Sequence, residues 1–235
     1  NTRIKAAVFE KDTLLEVLIF DDKKLIEKVD LLINKYGINT GIISSVKRIS
    51  KKELSLLNEK KCFLVLDSAT KVPFKNLYST PKTLGVDRIS LIANAVEKFP
   101  NKNVLIIDAG TCITYDFVND KKEYLGGAIS LGIEMRYKAL HKFTSKLPLL
   151  EKYIPKNFIG KTTDENIHSG VNNGVLNEIN GVIEQYEREN PFLTIVLTGG
   201  DTYFLAKQLK SSIFANPNFV LEGLNTILIY NTKEC

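Results

Sequence analysis

The chain has 235 residues, of which 44% are hydrophobic and 25% charged, and its formal net charge is +5. These values are typical of an ordinary globular protein, and the length suits one large or two small domains. No apolar run reaches the roughly 18–20 residues that span a membrane, and no signal peptide is recognisable. The lysines are scattered and form no arginine-rich stripe, which argues against nucleic-acid binding.

The cysteines and histidines do not indicate a disulfide framework or a metal site. Cys62, Cys112 and Cys235 are odd in number and widely spaced. We therefore expect a reducing, cytoplasmic setting. His141 and His168 lie far apart without ligand-like context, and we expect both to be structural or surface residues.

The first half of the chain alternates between strand and helix patterns. Alternating or short apolar runs predict strands at residues 4–10, 14–20, 40–46 and 62–66. Apolar residues at helical spacing predict helices at 21–35, 51–58 and 84–99, the first ending in a glycine C-cap at Gly37. Residues 72–83 contain two prolines and no sustained periodicity, so we expect a loop there.

The second half repeats this outline. It begins with a hairpin at 104–118 and a strand at 123–129, and helices follow from Gly132 onward. A strand at 195–198 then leads into a helix that ends at Leu209, and a last strand at 219–221 precedes a helix at 224–230. Each half reads β-β-β-α-β-α-β if one more strand precedes residue 1. The pattern predicts two similar α/β domains, residues 1–99 and 100–235, with a ligand cleft between them.

Three polar turns fall at corresponding places in the two halves: Asn1-Thr2, Asp108–Thr111 and Thr198–Asp201. The second is predicted to be a hairpin turn, which can hold phosphate oxygens on its backbone N–H groups, with Asp108 beside them to bind a cation. The third lies between a strand and a helix, a place that favours anions. The simpler alternatives are an aspartate that caps its own turn and a tight strand–helix connection. The three together favour nucleotide binding.

Several motifs give the chain a specific resemblance over essentially all of its length. They are Asn1-Thr2-Arg3-Ile4-Lys5, Tyr78 followed by Gly85-Val86-Asp87-Arg88, Asp108-Ala109-Gly110-Thr111, Gly126-Gly127-Ala128-Ile129, and Gly160-Lys161-Thr162-Thr163. With them the chain resembles type III pantothenate kinases of the acetate and sugar kinase/Hsp70/actin superfamily. The resemblance implies two actin-like (ribonuclease H-like) domains, each a mixed sheet flanked by helices, with ATP between them.

The resemblance also implies a substrate site. Asp87 matches the general base that takes the proton from the primary hydroxyl of pantothenate, and Arg88 matches a contact to the substrate carboxylate. Tyr78, Gly85, Val86 and Thr163 match further substrate positions. Without the resemblance, Asp87 would be interpreted as a helix N-cap and Arg88 as part of a surface ion pair. Tyr78 would then be a loop aromatic residue and Thr163 a helix cap.

For the nucleotide, the resemblance implies ATP contacts from Asn1, Thr2, Lys5 and Thr111. Asp108 matches the ligand of a monovalent cation, K⁺ or NH₄⁺. Glycines at 126, 127, 199 and 200 are expected to line the nucleotide cleft without individual roles.

The chain departs from the family at its start. The family's first motif reads Asp-x-Gly-Asn-Thr, and its Asp positions Mg²⁺ on the phosphates. The present sequence begins at the Asn of that motif, so we expect the Asp, the Gly and their strand to precede residue 1. A protein without them is expected to lose activity with Mg·ATP. Leu131-Gly132 also replaces the usual Pro-Gly, a change that we expect to be tolerated.

The implied function is ATP-dependent phosphorylation of pantothenate to 4'-phosphopantothenate, the first step of coenzyme A biosynthesis. The resemblance also implies a homodimer, and we expect no nucleic-acid or membrane partner. Two alternatives stay open at this point. One is a catalytically impaired, nucleotide-binding regulatory or accessory protein, and the other is a kinase of the same superfamily with another small-molecule substrate.

Overall fold

The computed structural model describes residues 4–45, 55, 57, 59 and 62–232. Internal contacts divide the chain into two units. The first comprises Asn1–Lys98 and Val220–Cys235, and the second comprises Phe99–Phe219. The sequence-based division at residues 99/100 differs in one respect: it assigned the last 16 residues, which group with the first unit, to the second.

The first unit begins with an antiparallel pair, β1 (Ile4–Glu10) and β2 (Thr13–Phe20), followed by helix α1 (Leu25–Tyr36). A parallel pair, β3 (Thr40–Ile43) and β4 (Cys62–Val65), comes next. The predicted C-cap is confirmed, because Gly37 has φ 65° and ψ 37°, a left-handed conformation that glycine adopts at low cost. The helix predicted at 51–58 falls mostly outside the described residues.

We expected one mixed sheet in the first half. Among the described residues, its strands form two separate pairs, one antiparallel and one parallel. A cavity of about 390 Å³ is lined by residues of both pairs together with residues of α1 and the last helix of the chain. The predicted loop at 72–83 contains only the short strand β5 (Lys75–Asn76) and a 3₁₀ turn at Pro81–Thr83. Helix α2 (Val86–Lys98) follows and completes this stretch.

The second unit contains five strands that pair in the order β10-β9-β6-β7-β8. Their bounds are β6 Val104–Ala109, β7 Cys112–Val118, β8 Glu123–Leu131, β9 Thr194–Thr198 and β10 Phe214–Ala215. The predicted hairpin is confirmed, since β6 and β7 are antiparallel and joined by a tight turn. Strand β9 runs parallel to both β6 and β10, so the sheet is mixed. Residues 104–107 are fully buried, as their continuous apolar run predicts.

Two helices cover one face of this sheet: α3 (Ile133–Lys142) and α4 (Thr163–Glu189). Leu105, Ile107 and Leu197 of the sheet share a buried cluster with residues of α4. The α4 members recur at helical spacing and are Val171, Val175, Ile179 and Ile183. This packing fixes which residues of each strand face the helices. It leaves the alternate residues, Asp108 among them, on the opposite face of the sheet.

The strand predicted at residues 219–221 is wrong. These residues begin a helix, α6 (Phe219–Thr232), and the last strand is β10, a few residues earlier. Aromatic and branched side chains suggested a strand, yet Phe219 and Ile227 are both fully buried and lie eight residues apart, a helical spacing. A turn in which the Asn216 side chain accepts a hydrogen bond from the Asn218 N–H at 2.9 Å precedes the helix. Helix α5 (Thr202–Ala206) is also shorter than predicted.

Candidate active site

The Gly85–Arg88 tetrad forms the start of helix α2 in the first unit. Asp87 is the second residue of the helix, and its Oδ1 accepts a hydrogen bond from the Arg88 N–H at 2.9 Å. The carboxylate folds back over Gly85, where a Cβ atom would lie 2.4 Å from that oxygen. Because such a contact is too short for any side chain, a glycine at 85 leaves the space in which the carboxylate of Asp87 sits. Asp87 is within the first turn, which its negative charge favours, and is not the N-cap.

Arg88 is buried beside an aromatic ring. Only 6% of the residue is exposed, and its guanidinium carbon lies 5.8 Å from the centroid of the Tyr78 ring. This distance is within the range of a cation–π interaction. The alternative interpretation of Arg88 as part of a surface ion pair is therefore wrong. The structure thus brings together four predicted substrate positions, Tyr78, Gly85, Asp87 and Arg88, within one unit.

Asp108 lies at the end of β6 in the second unit and is half-buried, whereas Thr111 in the following turn is exposed. The turn after β9 packs directly against it. Gly199 has φ 96°, and a Cβ there would lie 2.3 Å from Ala109 O and 2.4 Å from Asp108 Oδ1. The Asp201 N–H also donates to Ala109 O at 2.9 Å. Two of the three predicted polar turns therefore form one continuous surface.

The start of helix α3 approaches the same hairpin turn. The Gly132 N–H donates to Thr111 O at 3.1 Å. A Cβ at Gly132 would lie 2.2 Å from Gly110 O and 2.3 Å from Thr111 O. Glycine at this position therefore permits a close backbone contact that no larger residue allows.

A polar row crosses three neighbouring strands on the sheet face opposite the buried cluster. Asp108 is the register partner of Thr114 on β7 and of Thr198 on β9. Thr198 is fully buried, and its hydroxyl has no hydrogen-bond partner. A carboxylate with a neighbouring unsatisfied hydroxyl is an oxygen donor set of the kind that large, weakly hydrated cations accept, so the residues fit a monovalent cation. Unpaired buried hydroxyls are costly, which strengthens this fit.

Sequence reasoning missed a buried carboxylate in this row. Asp116 is fully buried and accepts hydrogen bonds from Tyr124 at 2.8 Å and from Thr114 at 3.1 Å. Asp116 and Thr114 are two residues apart on β7, and this spacing could have indicated that both side chains lie on the same face of the sheet. Burial of the charge could not be inferred from that alternation.

Thr163 is the exposed first residue of α4. The helix cap is its neighbour Thr162, whose hydroxyl accepts from the Glu165 N–H at 3.2 Å within a full capping box. The alternative interpretation of Thr163 as the cap is therefore wrong by one residue. Thr163 lines a pocket of about 600 Å³ in the second unit, together with Arg136, Asn166 and apolar residues of α3 and α4.

Arg136 is held in that pocket by a network that no sequence motif indicated. The carboxylate of Glu178 accepts from Tyr115 at 2.8 Å and from Ser130 at 3.1 Å, and it pairs with Arg136. Burial alone would raise the pKa of Glu178, but the hydrogen bonds from Arg136, Tyr115 and Ser130 outweigh it and lower the pKa. Burial and the same carboxylate raise the pKa of Tyr115. These residues are distant in sequence, so only tertiary packing assembles them.

The remaining predicted site residues are less informative. Asn1 and Thr2 lie outside the described residues, and Lys5 is an exposed residue of β1. Val86 is the first residue of α2. Gly126, with φ 119°, and Gly127 lie on β8.

No group of three or more His, Cys, Asp or Glu side chains that could hold a metal ion occurs in the part of the chain that the structure describes. The two histidines make structural contacts, as predicted. His168 Nδ1 lies 2.9 Å from the Tyr137 hydroxyl, and His141 Nδ1 lies 2.8 Å from Leu147 O. Within the described ranges, no helix is both long and apolar enough to cross a membrane.

Comparisons with known proteins identify the family of the chain. Residues 1–185 match the family profile described as type III pantothenate kinase. A protein of this name from Christiangramia forsetii is 49% identical over 235 residues, covering 100% of this chain and 97% of the relative. Another from Flavobacterium psychrophilum is 46% identical over 231 residues, covering 98% and 96%.

Solved structures show the same fold at lower identity. A Campylobacter jejuni structure, provisionally assigned as a Baf family transcriptional activator, has a TM-score of 0.63 at 21% identity and covers 99% of this chain and 96% of that one. A glucokinase from an Antarctic psychrotroph has a TM-score of 0.50 at 10% identity and covers 98% and 96%. Together with the mixed sheet and its flanking helices, these similarities confirm the predicted α/β fold. The profile match and the identity to the curated relatives establish that the chain belongs to the type III pantothenate kinase family.

Proposed function

We propose that this protein transfers the γ-phosphoryl group of ATP to the primary hydroxyl of pantothenate. The product, 4'-phosphopantothenate, enters coenzyme A biosynthesis. Family membership supports the reaction. The observation that carries it to this chain is the group at the start of α2, where a carboxylate, a buried guanidinium and an aromatic ring lie together.

Asp87 is the proposed general base. Phosphoryl transfer has a loose transition state, so the base has only to orient the alcohol and accept its proton. A carboxylate whose position is fixed by the Arg88 N–H and by the space over Gly85 suits that role. Phosphoryl transfer needs no further covalent chemistry from the protein.

The proposed pantothenate contacts are Tyr78, Gly85, Val86, Arg88 and Thr163. Arg88 suits the carboxylate of pantothenate, because a guanidinium forms strong paired hydrogen bonds with carboxylates. Its cation–π contact with Tyr78 restricts the orientation of the guanidinium. Thr163 presents an exposed hydroxyl beside a pocket.

The proposed nucleotide contacts are Asn1, Thr2, Lys5 and Thr111, with Asp108 holding K⁺ or NH₄⁺. The unsatisfied Thr198 hydroxyl beside Asp108 supports a cation there. Kinases use ATP together with a divalent metal, and Mg²⁺ bound to the nucleotide would neutralise charge on the transferred group. The monovalent cation would add positive charge at the hairpin turn.

We also propose a cytoplasmic homodimer. Three large apolar side chains in the segment between α3 and α4 are strongly exposed: Phe143 at 81%, Phe158 at 76% and Ile159 at 76%. Exposed apolar side chains that form a patch mark protein interfaces, and we propose that these three belong to one. A second copy of the chain is the partner that the family favours.

The test is ADP formation by the purified full-length protein with and without pantothenate. Turnover is expected to require pantothenate and either K⁺ or NH₄⁺, and Asp87→Asn is expected to abolish it. An Asn at 87 keeps the size of the side chain but cannot accept the proton. ATP turnover that ignores pantothenate but responds to another small alcohol would instead indicate a kinase with a different substrate.

A further inference from the structure

Lys152, in the segment between α3 and α4, forms an ion pair that no motif predicted. Its Nζ donates to the Oδ1 of Asp201, the residue that ends the turn after β9. Only 9% of the Asp201 side chain is exposed, against 36% for Lys152. The aspartate is thus the desolvated partner, and burying a carboxylate without a partner is costly.

Asp201 is held close to the proposed nucleotide site by its own backbone. Its N–H donates to Ala109 O at 2.9 Å, which places it against the turn that carries Asp108. The turn is further closed by Thr202, whose hydroxyl donates to Gly199 O at 2.7 Å. A negative side chain fixed at this place would repel the phosphate oxygens of a nucleotide.

The position of Lys152 is set by more than the charge of its partner. Its ammonium group lies 5.6 Å from the centroid of the Phe204 ring on α5, within reach of a cation–π interaction. The two contacts come from the same short stretch that follows β9. They direct the ammonium group toward Asp201 and restrict its freedom to turn to solvent.

We propose that Lys152 is a positioning residue of the nucleotide site, which neutralises Asp201 and so makes the turn after β9 compatible with bound phosphates. The inference rests on the proposed ATP-dependent function. Lys152 need not touch the nucleotide for this role. It acts through the charge of Asp201 and through the seating of the Gly199–Asp201 turn against Ala109.

The experiment is calorimetric titration of the purified protein with MgATP at saturating K⁺ and low ionic strength, where charge effects are least screened. Lys152→Met shortens the side chain by one atom and removes its charge, and we expect it to raise the Kd for MgATP about tenfold, as for one unpaired charge near the ligand. Lys152→Arg is expected to bind nearly as wild type. Lys138→Met, in the solvent-exposed pair with Glu134, is the matched control and is expected to change nothing.

The decisive variant is the double substitution Lys152→Met with Asp201→Asn. If Lys152 acts by neutralising Asp201, removing both charges restores MgATP affinity to near the wild-type value. A merely structural lysine, or one that contacts the phosphates directly, gives no such rescue. In turnover assays the Lys152→Met defect is expected mainly in the KM for ATP, with kcat little changed.

The outcomes separate this inference from the proposed function. If the wild-type protein binds MgATP and Lys152→Met binds it equally well, the inference is overturned while the proposed function stands. A double variant that binds as weakly as Lys152→Met overturns it too. A wild-type protein that does not bind MgATP refutes both.

Discussion

Replacing Gly199 by alanine tests whether contact between two turns builds the candidate nucleotide site. Gly199 has φ 96°, a conformation that costs an alanine about 1–3 kcal/mol. The new Cβ would also lie 2.3 Å from Ala109 O, a backbone atom that cannot rotate away. The turn must therefore move away from Asp108 and Ala109, and the hydrogen bond from the Asp201 N–H is expected to weaken.

Gly200 provides a matched control next door. It has no positive φ, and a Cβ there would meet no atom within 4 Å. We expect Gly200→Ala to change the free energy of unfolding by no more than about 0.5 kcal/mol. For Gly199→Ala, a loss of about 1–3 kcal/mol corresponds to a fall in Tm of about 2–12 °C for a chain of this size.

Thermal and guanidinium unfolding measure the stability of both variants, and ADP release measures their activity. We expect Gly199→Ala to lower the Tm and to raise the KM for ATP, because the displaced turn no longer packs against Asp108 and Ala109. The reasoning is refuted if the two alanine variants unfold at the same temperature. It is refuted as well if Gly199→Ala is destabilised but retains the wild-type KM for ATP.

Three further outcomes are expected. Thr162→Ala removes the helix cap and should destabilise the protein by about 1 kcal/mol in denaturant unfolding. Thr163→Ala should leave unfolding unchanged and raise the KM for pantothenate. The reverse pattern would contradict Thr162 as the cap and Thr163 as a substrate contact. Because the folded pKa of Glu178 is lowered, its stabilising contribution is present above the unfolded pKa near 4.5 and is lost as the pH falls through the folded value. Glu178→Gln should therefore lower the free energy of unfolding by about 1.5–3 kcal/mol at pH 7 and by progressively less in acid. A difference in unfolding free energy that does not change with pH would argue against this. Phe158→Asp should give a monomer by light scattering with an unchanged fold by circular dichroism, and a persistent dimer would exclude this residue from the interface.

The sequence predicted the elements that carry strong local signals. The hairpin at 104–118 combines a continuous apolar run with an alternating one, and the structure confirms both its strands and its tight turn. Gly37 ends α1 in the left-handed conformation that a C-cap requires. The strand expected at 219–221 failed because three apolar residues fit either period, and only the burial of Phe219 and Ile227 on one helical face distinguishes them.

In the candidate site too, some features could be predicted from contiguous sequence and others depend on tertiary packing. The tetrad at 85–88 is contiguous in sequence, so its resemblance to the family motif was enough to predict roles for Asp87 and Arg88. The burial of Arg88 against Tyr78 depends on how the loop before α2 folds back, and spacing cannot report that. The same holds for Asp116, whose buried carboxylate accepts from Thr114 on its own strand and from Tyr124 on the neighbouring strand β8.

By itself the sequence determined most of the strands and helices, the residues at the polar turns and the resemblance that links them to pantothenate phosphorylation. These depend on periodicity and on contiguous motifs, which the chain carries locally. Tertiary structure alone decided which turns meet and which charges are buried. The contact of Gly199 with Asp108, the Glu178 network and the Lys152–Asp201 pair join residues 42 to 91 positions apart. Their partners are chosen by sheet register and helix packing, which no local pattern encodes.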